Sequence, residues 1–298
     1  MPFWSLAAIV LLKISIRLLC KLPSMTTAES PWKTSIQLKG TTVLRIALAR
    51  VLQPVNVVIL GMHRSGTSCL TGILSTSGLY LGDTNNYSPF NQKGNQESRQ
   101  INELNESLLK HNHGSWKSPK EITNIPDSIK QEIERYQLRK MLQVAKKGQR
   151  MWGIKDPRML FCLPAWSDRH STFVGTFRHP QKVAQSLLDR DKKFSKSSGM
   201  SLEDWQEVWY VYNLKLVEIY QQAPFPIVSF DWESKRYAEV VSAVAQKLQL
   251  PNYKQGMEFF DGKLINQEEA EITNSRHAEL YAKLQEIADT EAEKLLKS

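Results

Sequence analysis

Val57, Val58, Ile59 and Leu60 run directly into Gly61, and after four intervening residues Gly66 opens a stretch of hydroxyls, Thr67 and Ser68, that merges into a new apolar pattern. A buried strand, a tight glycine turn and the start of a helix account for this order of residue types. Such a turn gathers backbone N–H groups at one point, and the helix dipole adds positive potential there, so it binds anions. The loop that holds ATP reads G-x-x-x-x-G-K-[ST]. Here Thr67 stands at the lysine position, and the basic group lies inside the loop as Arg64. The cradle is kept, but the usual lysine is missing.

Beyond the loop, short apolar segments alternate with helical ones. Cys69, Leu70, Ile73 and Leu74 recur at helical spacing, with Gly78 as a stop signal. Residues 80–96 are rich in Asn, Gly, Ser and Gln and read as an irregular surface loop. A helical pattern resumes near Asn95 with Ile101, Leu104 and Leu108. Residues 151–154 and 172–177 read as strands, each followed by a basic cluster: Lys155-Asp156-Pro157-Arg158 and Arg178-His179-Pro180. Val183, Ala184, Leu187 and Leu188 share one helix face. Trp205, Val208, Trp209, Tyr212 and Leu216 form an aromatic stripe that fits a core better than an acceptor pocket. A strand at 226–230, an amphipathic helix from Tyr237 to Leu248 and a charged helix from about Arg276 complete the chain. This alternation predicts an α/β fold with a parallel sheet covered on both faces. The expected main domain is 51–298, preceded over 1–50 by an apolar helix and a polar linker.

Arg178 is expected at the carboxyl end of its strand, where open α/β sheets bind ligands. Pro180 suits a first helical turn, and Ser186 follows two turns later. A guanidinium grips phosphate bidentately, and a hydroxyl adds a further donor.

With Arg64-Ser65-Gly66-Thr67 and Arg178-His179-Pro180…Ser186 in view, the chain resembles sulfotransferases that use 3′-phosphoadenosine 5′-phosphosulfate (PAPS). The resemblance implies a P-loop three-layer sandwich. It assigns His63, Arg64, Ser65, Gly66, Thr67 and Ser68 to the phosphosulfate and Arg178 and Ser186 to the 3′-phosphate. His179 stands where the family usually has Asp. Lys155-Asp156-Pro157 is similar to an element of carbohydrate, tyrosyl-protein and bacterial sulfotransferases whose lysine lies near the scissile bond. The similarity spans roughly residues 55–235. For the family's C-terminal nucleotide-binding segment, Phe259-Phe260-Asp261-Gly262-Lys263 is a weak match.

Transfer of a sulfuryl group makes three demands: a base for the acceptor proton, in-line positioning, and neutralisation of the departing phosphate. Loop amides, Arg64 and Lys155 answer the last. A sulfuryl group carries less charge than a terminal phosphoryl group, so protein cations suffice and no obligatory metal is expected. For the base, Glu97 lies four, seven and eleven residues before Ile101, Leu104 and Leu108, so a continuous helix puts it on their inward stripe. The resemblance to glycan and tyrosyl-protein sulfotransferases also favours a glutamate in this region. A helix-capping carboxylate is the alternative role. His111 is the rival base, by resemblance to cytosolic sulfotransferases.

A net charge of +9 suits a polyanionic ligand, an acidic or glycan-like acceptor, or a membrane surface. No zinc-finger spacing or RNA-recognition motif points to nucleic acid. Cys20, Cys69 and Cys162 are too few and scattered for a disulfide framework or a metal site. Residues 3–12 are apolar, but Lys13 and Arg17 follow on one helical face. An interfacial helix over 3–20 fits better than a span or a cleaved signal, with a signal anchor or a start at Met25 as alternatives. The expected compartment is the cytoplasm, with peripheral membrane contact, rather than a lumen. Two other functions compete: a P-loop kinase of a small metabolite, with Asp156 drafted to hold its metal, and a non-catalytic nucleotide- or glycan-binding module.

Overall fold

β1 (Val55–Leu60) is an inner strand, buried along nearly its whole length, and its four consecutive apolar side chains have a protein layer on either face. The computed structural model describes residues 55–84, 93–166, 171–193, 199–262 and 271–297. The interfacial helix expected at 3–20, the linker to residue 50 and Lys263 lie outside these. β1 pairs in parallel with β2 (Met151–Lys155) on one side and β3 (Ser171–Phe177) on the other, and β3 pairs in parallel with β4 (Ile227–Ser229). The order is therefore β2-β1-β3-β4.

Between β1 and β2 run α1 (Thr67–Thr76), α2 (Arg99–His111) and α3 (Asp127–Lys146). α4 (Met159–Trp166) leads to β3, and α5 (Pro180–Lys193) and α6 (Leu202–Gln222) lead to β4. α7 (Ser234–Lys247), a 3-10 turn (Gln255–Phe259) and α8 (Ser275–Leu296) close the chain. The connection out of β1 moves one way across the sheet, whereas those out of β2 and β3 move the other. Right-handed crossovers then place helices on opposite faces, which makes the α/β sandwich expected from the alternating pattern.

That reversal of direction falls between β1 and β3, whose carboxyl ends splay their loops apart and leave a crevice. The core agrees with the periodicities. Trp205, Trp209, Tyr212 and Leu216 are fully buried, so the aromatic stripe is core. A capping box between Ser201 and Asp204 fixes the start of α6. Two helices, α3 and α4, escape the sequence reading. α3 buries Ile133, Tyr136 and Val144 on one face but interrupts that stripe with Lys140, and α4 is apolar all round with Pro164 inside it, so the signal of each is blurred. No helix among the described residues is long and apolar enough to cross a membrane.

Candidate active site

The turn after β1 needs its two glycines for different reasons. At Gly61, with φ of 151°, a Cβ would lie 2.4 Å from the Thr176 carbonyl oxygen of the neighbouring strand. At Gly66, with φ of 81°, a Cβ would lie 2.3 Å from the Phe230 ring. Both positions also have a backbone that suits glycine. Gly66 caps α1 without a side-chain partner, so the first amides of that helix have no intrahelical acceptor. Thr176 Oγ1 donates to the Ser65 carbonyl at 3.0 Å and ties the turn to β3. Thr67 is buried at the first position of α1.

Arg64 adopts the left-handed region, with φ of 65°, a conformation that costs a non-glycine residue about 1 kcal/mol or more and persists where surroundings enforce it. Here a contact with α5 helps hold it: Arg64 Nε donates to Ser186 Oγ at 2.8 Å. The loop and the Arg178…Ser186 element, far apart in sequence, thus meet directly. Arg178 leaves the end of β3 with its guanidinium 5.5 Å from the Phe230 ring centroid, and its carbonyl accepts from Trp209 Nε1 at 2.8 Å. Burial lowers the pKa of both arginines. Arg190 and Arg178 add to the effect at Arg64, whereas Asp231 and Tyr281 oppose it at Arg178. Desolvated cations of like sign gathered at one crevice favour an anion there.

Asp231 organises the second motif. It accepts from the His179 backbone N–H, from Lys182 Nζ at 3.4 Å and from Tyr281 Oη at 3.1 Å. His179, standing where the related pattern has Asp, therefore has a carboxylate from the end of β4 at its backbone.

Lys155 ends β2 almost wholly buried. Its ammonium donates to Ser68 Oγ at 3.3 Å, to the Asn95 carbonyl at 3.0 Å and to Glu97 Oε1. Glu97 Oε2 accepts from Asn102 Nδ2 at 2.9 Å, and Ser68 Oγ donates to the Asn95 carbonyl at 3.1 Å. Glu97, Lys155 and Ser68 thus form one cluster beside the loop. The helical-phase argument for Glu97 does not describe how it gets there. α2 starts at Arg99 with Ser98 at its N-cap, so Glu97 precedes the helix, and the left-handed backbone at Gln96, φ of 57°, introduces it. His111 is exposed at the other end of α2, about 18 Å away by the rise of thirteen helical residues.

The neighbouring Asp156 behaves differently. Fully buried, it accepts from Arg158 N and Nη1, both at 3.0 Å, and from Asn105 Nδ2 at 2.9 Å. Arg158 Nε in turn donates to Glu106 at 2.7 Å. Burial disfavours the Arg158 charge, but Asp156 and Glu106 outweigh it and raise the pKa above the usual value. Asp156 is bound into the frame and is not free to hold a metal for a kinase.

The ring of His63, a residue expected to serve the loop, lies 4.7 Å from Trp116 and 6.2 Å from Tyr212 between centroids. Its Nε2 is buried with no hydrogen-bond partner among the described residues. Burial lowers its pKa well below 6.5, and Arg158, Arg190, Lys155 and Arg64 push the same way. Trp116 and Arg190, unnoticed in the sequence, stand next to it. Neither lies in a motif, and only the fold brings residue 116 to α5. Of the 259–263 segment, Phe259 packs at Gly72 of α1, where a Cβ would lie 2.1 Å from its ring.

No protein-family model matches the chain, and no curated protein matches it. Among solved structures, it is similar to the sulfotransferase domain from the curacin biosynthetic pathway. The identity is 14% and the TM-score 0.49, over 78% of this chain and 98% of that one. It is also similar to the sulfotransferase domain from the Synechococcus PCC 7002 olefin synthase. There the identity is 14% and the TM-score 0.43, over 80% and 94% of the two chains.

Proposed function

We propose that the protein is a sulfotransferase that moves a sulfuryl group from PAPS to an acceptor hydroxyl or amine. The observation that carries this reading is the Arg64–Ser186 hydrogen bond. It joins a phosphosulfate-type loop to a 3′-phosphate-type motif at the β1/β3 crevice, and a donor with anionic groups on both sides of its ribose needs both. An ATP-type ligand would call on the lysine that Thr67 replaces.

In this reading the loop amides, Arg64 and Ser65 to Ser68 hold the phosphosulfate, and Arg178 with Ser186 holds the 3′-phosphate. Glu97 takes the acceptor proton. Its pairing with Lys155 holds the carboxylate beside the loop, where a base has to stand. Lys155 has three protons to offer, so it can trade one acceptor for the oxygen that leaves sulfur. Arg64 neutralises the charge growing on the departing phosphate.

The test is binding and transfer. 3′-Phosphoadenosine 5′-phosphate (PAP) should stabilise the protein by about 2.7 kcal/mol at a hundredfold excess over Kd, and ATP with magnesium should not. Labelled PAPS should pass its label to a component of a cell extract. Arg64→Ala should slow that transfer about a hundredfold, the usual cost of one preorganised donor of about 3 kcal/mol. No heat from PAP or PAPS in calorimetry at moderate ionic strength would refute the proposal.

A further inference from the structure

α5 carries Arg190 one turn beyond Ser186, about 6 Å further along the helix axis. Cationic groups therefore line α5 in order: Arg178 just before its first turn, Arg64 at Ser186, and Arg190 beyond the loop. The other cations near Glu97 are matched to carboxylates, Lys155 to Glu97 itself and Arg158 to Asp156 and Glu106. Arg190 is held differently. Its guanidinium lies 5.0 Å from the centroid of Trp116, which stacks on buried Trp205 at 5.5 Å and 21°. No ion pair of Arg190 occurs among the described residues. An aromatic seat fixes a guanidinium while leaving its N–H fork open to an oxyanion. Beside it, the buried Nε2 of His63 also has no partner among the described residues. A cation without an ion pair and a buried ring nitrogen without a hydrogen bond, both against Trp116, mark a place for a polar ligand.

We propose that Arg190, seated on Trp116 beside His63, binds an oxyanion of the acceptor, so that this protein sulfates hydroxyl compounds that carry a carboxylate or a phosphate monoester. The proposal rests on the sulfotransferase reading above and adds the acceptor class. The acceptor's anion docks on Arg190 and its hydroxyl faces Glu97. The bond from sulfur to the 5′-phosphate oxygen breaks, a bond from sulfur to the acceptor oxygen forms, and the hydroxyl proton passes to Glu97. PAP and a sulfate ester that keeps its original anion leave. Burial lowers the pKa of Arg190 and Arg158 adds to this, while Asp191 and Glu97 oppose it, and a bound oxyanion would offset the net cost.

The experiment uses the full chain, labelled PAPS and matched acceptor pairs that differ in charge. The pairs are para-nitrophenyl β-glucuronide with the β-glucoside, para-hydroxyphenylacetate with its amide, and a hydroxy fatty acid with its methyl ester. A phosphorylated glucoside forms the phosphate arm and separates that source of charge from carboxylate. At least one anionic member should be sulfated with kcat/KM roughly tenfold or more above its neutral partner, the scale of one charge-assisted contact. Arg190→Gln should reduce that ratio to about one, mainly through KM, while PAP still raises Tm. Neutral partners preferred throughout, or a ratio unmoved by R190Q, would overturn the proposal. So would label reaching no anionic member while PAP binds. Loss of PAP binding in R190Q would assign the arginine to the donor and equally overturn it. A wild-type chain that binds no PAP would instead bring down the underlying sulfotransferase reading.

Discussion

Lys155 and Asp156 are adjacent in sequence and both buried, yet they end β2 in two opposite kinds of site. Among the described residues Asp156 accepts from two groups of Arg158 and one of Asn105, partners that belong to the frame. Lys155 binds Ser68 of the loop, a carbonyl at Asn95 and the carboxylate of Glu97, all at the crevice. The first arrangement is closed, and breaking it leaves buried charge with nothing to replace the lost partner. The second joins two segments at the loop, since its partners come from the start of α1 and from the stretch just before α2. Alternation of side chains along a strand sends the two residues to different surroundings. One motif therefore supplies both a structural lock and, in the proposed function, the lysine that pairs with the base.

The difference can be broken at several points. Asp156→Ala carries the largest expected effect, about 3–5 kcal/mol of stability, because Arg158 is left buried with only the more exposed Glu106. Thermal or denaturant unfolding measures it, and a near-wild-type midpoint would show the network to be ornamental. Glu97→Gln should do the reverse. Turnover of an identified acceptor should fall at least about a hundredfold, the loss expected for a general base, with PAP affinity kept. If turnover stays near wild type, Glu97 is not the base.

His63 sharpens the contrast because it feels cations from both sites. Its folded pKa is depressed, so between that value and about 6.5 the unfolded chain binds a proton that the folded chain does not. Its contribution to stability is fully present above about pH 6.5 and is lost as the pH falls below it, at up to about 1.4 kcal/mol per pH unit. His63→Asn should flatten that limb of the Tm profile, and an unchanged slope would assign the acid sensitivity elsewhere. Ser186→Ala should have the smallest effect. Losing one hydroxyl partner of Arg64 should weaken PAP binding by about 1 kcal/mol, or roughly fivefold in Kd, read by titration calorimetry. A change within error would mean that Ser186 only positions Arg64.

Much of the frame was legible because burial leaves a periodic trace. Strands β1 and β3, helices α1, α5, α6, α7 and α8 and the aromatic core of α6 all followed from apolar spacing. α3 and α4 did not, since Lys140 breaks the stripe of the first and the second is apolar on every side. The candidate site was legible where special backbone or charge at a strand end shows in the residue types, as at Gly61, Arg64, Gly66, Lys155 and Arg178. Glu97 was reached by assuming a helix that starts two residues further on, so its neighbour Lys155, not its phase, explains its position. Trp116, Arg190 and Asp231 had no local signal, because their roles come from partners distant along the chain.

By itself, the sequence determined a glycine turn between a buried strand and a helix, a second basic strand end, and a parallel α/β order. These depend on local backbone conformation and on periodic burial, which residue type encodes. Only the tertiary structure decided that Arg64 meets Ser186, that Asp156 pairs with Arg158 while Lys155 pairs with Glu97, and that Arg190 rests on Trp116. Such contacts depend on strand order and on directions in space, and neither leaves a trace in the spacing of residues along the chain.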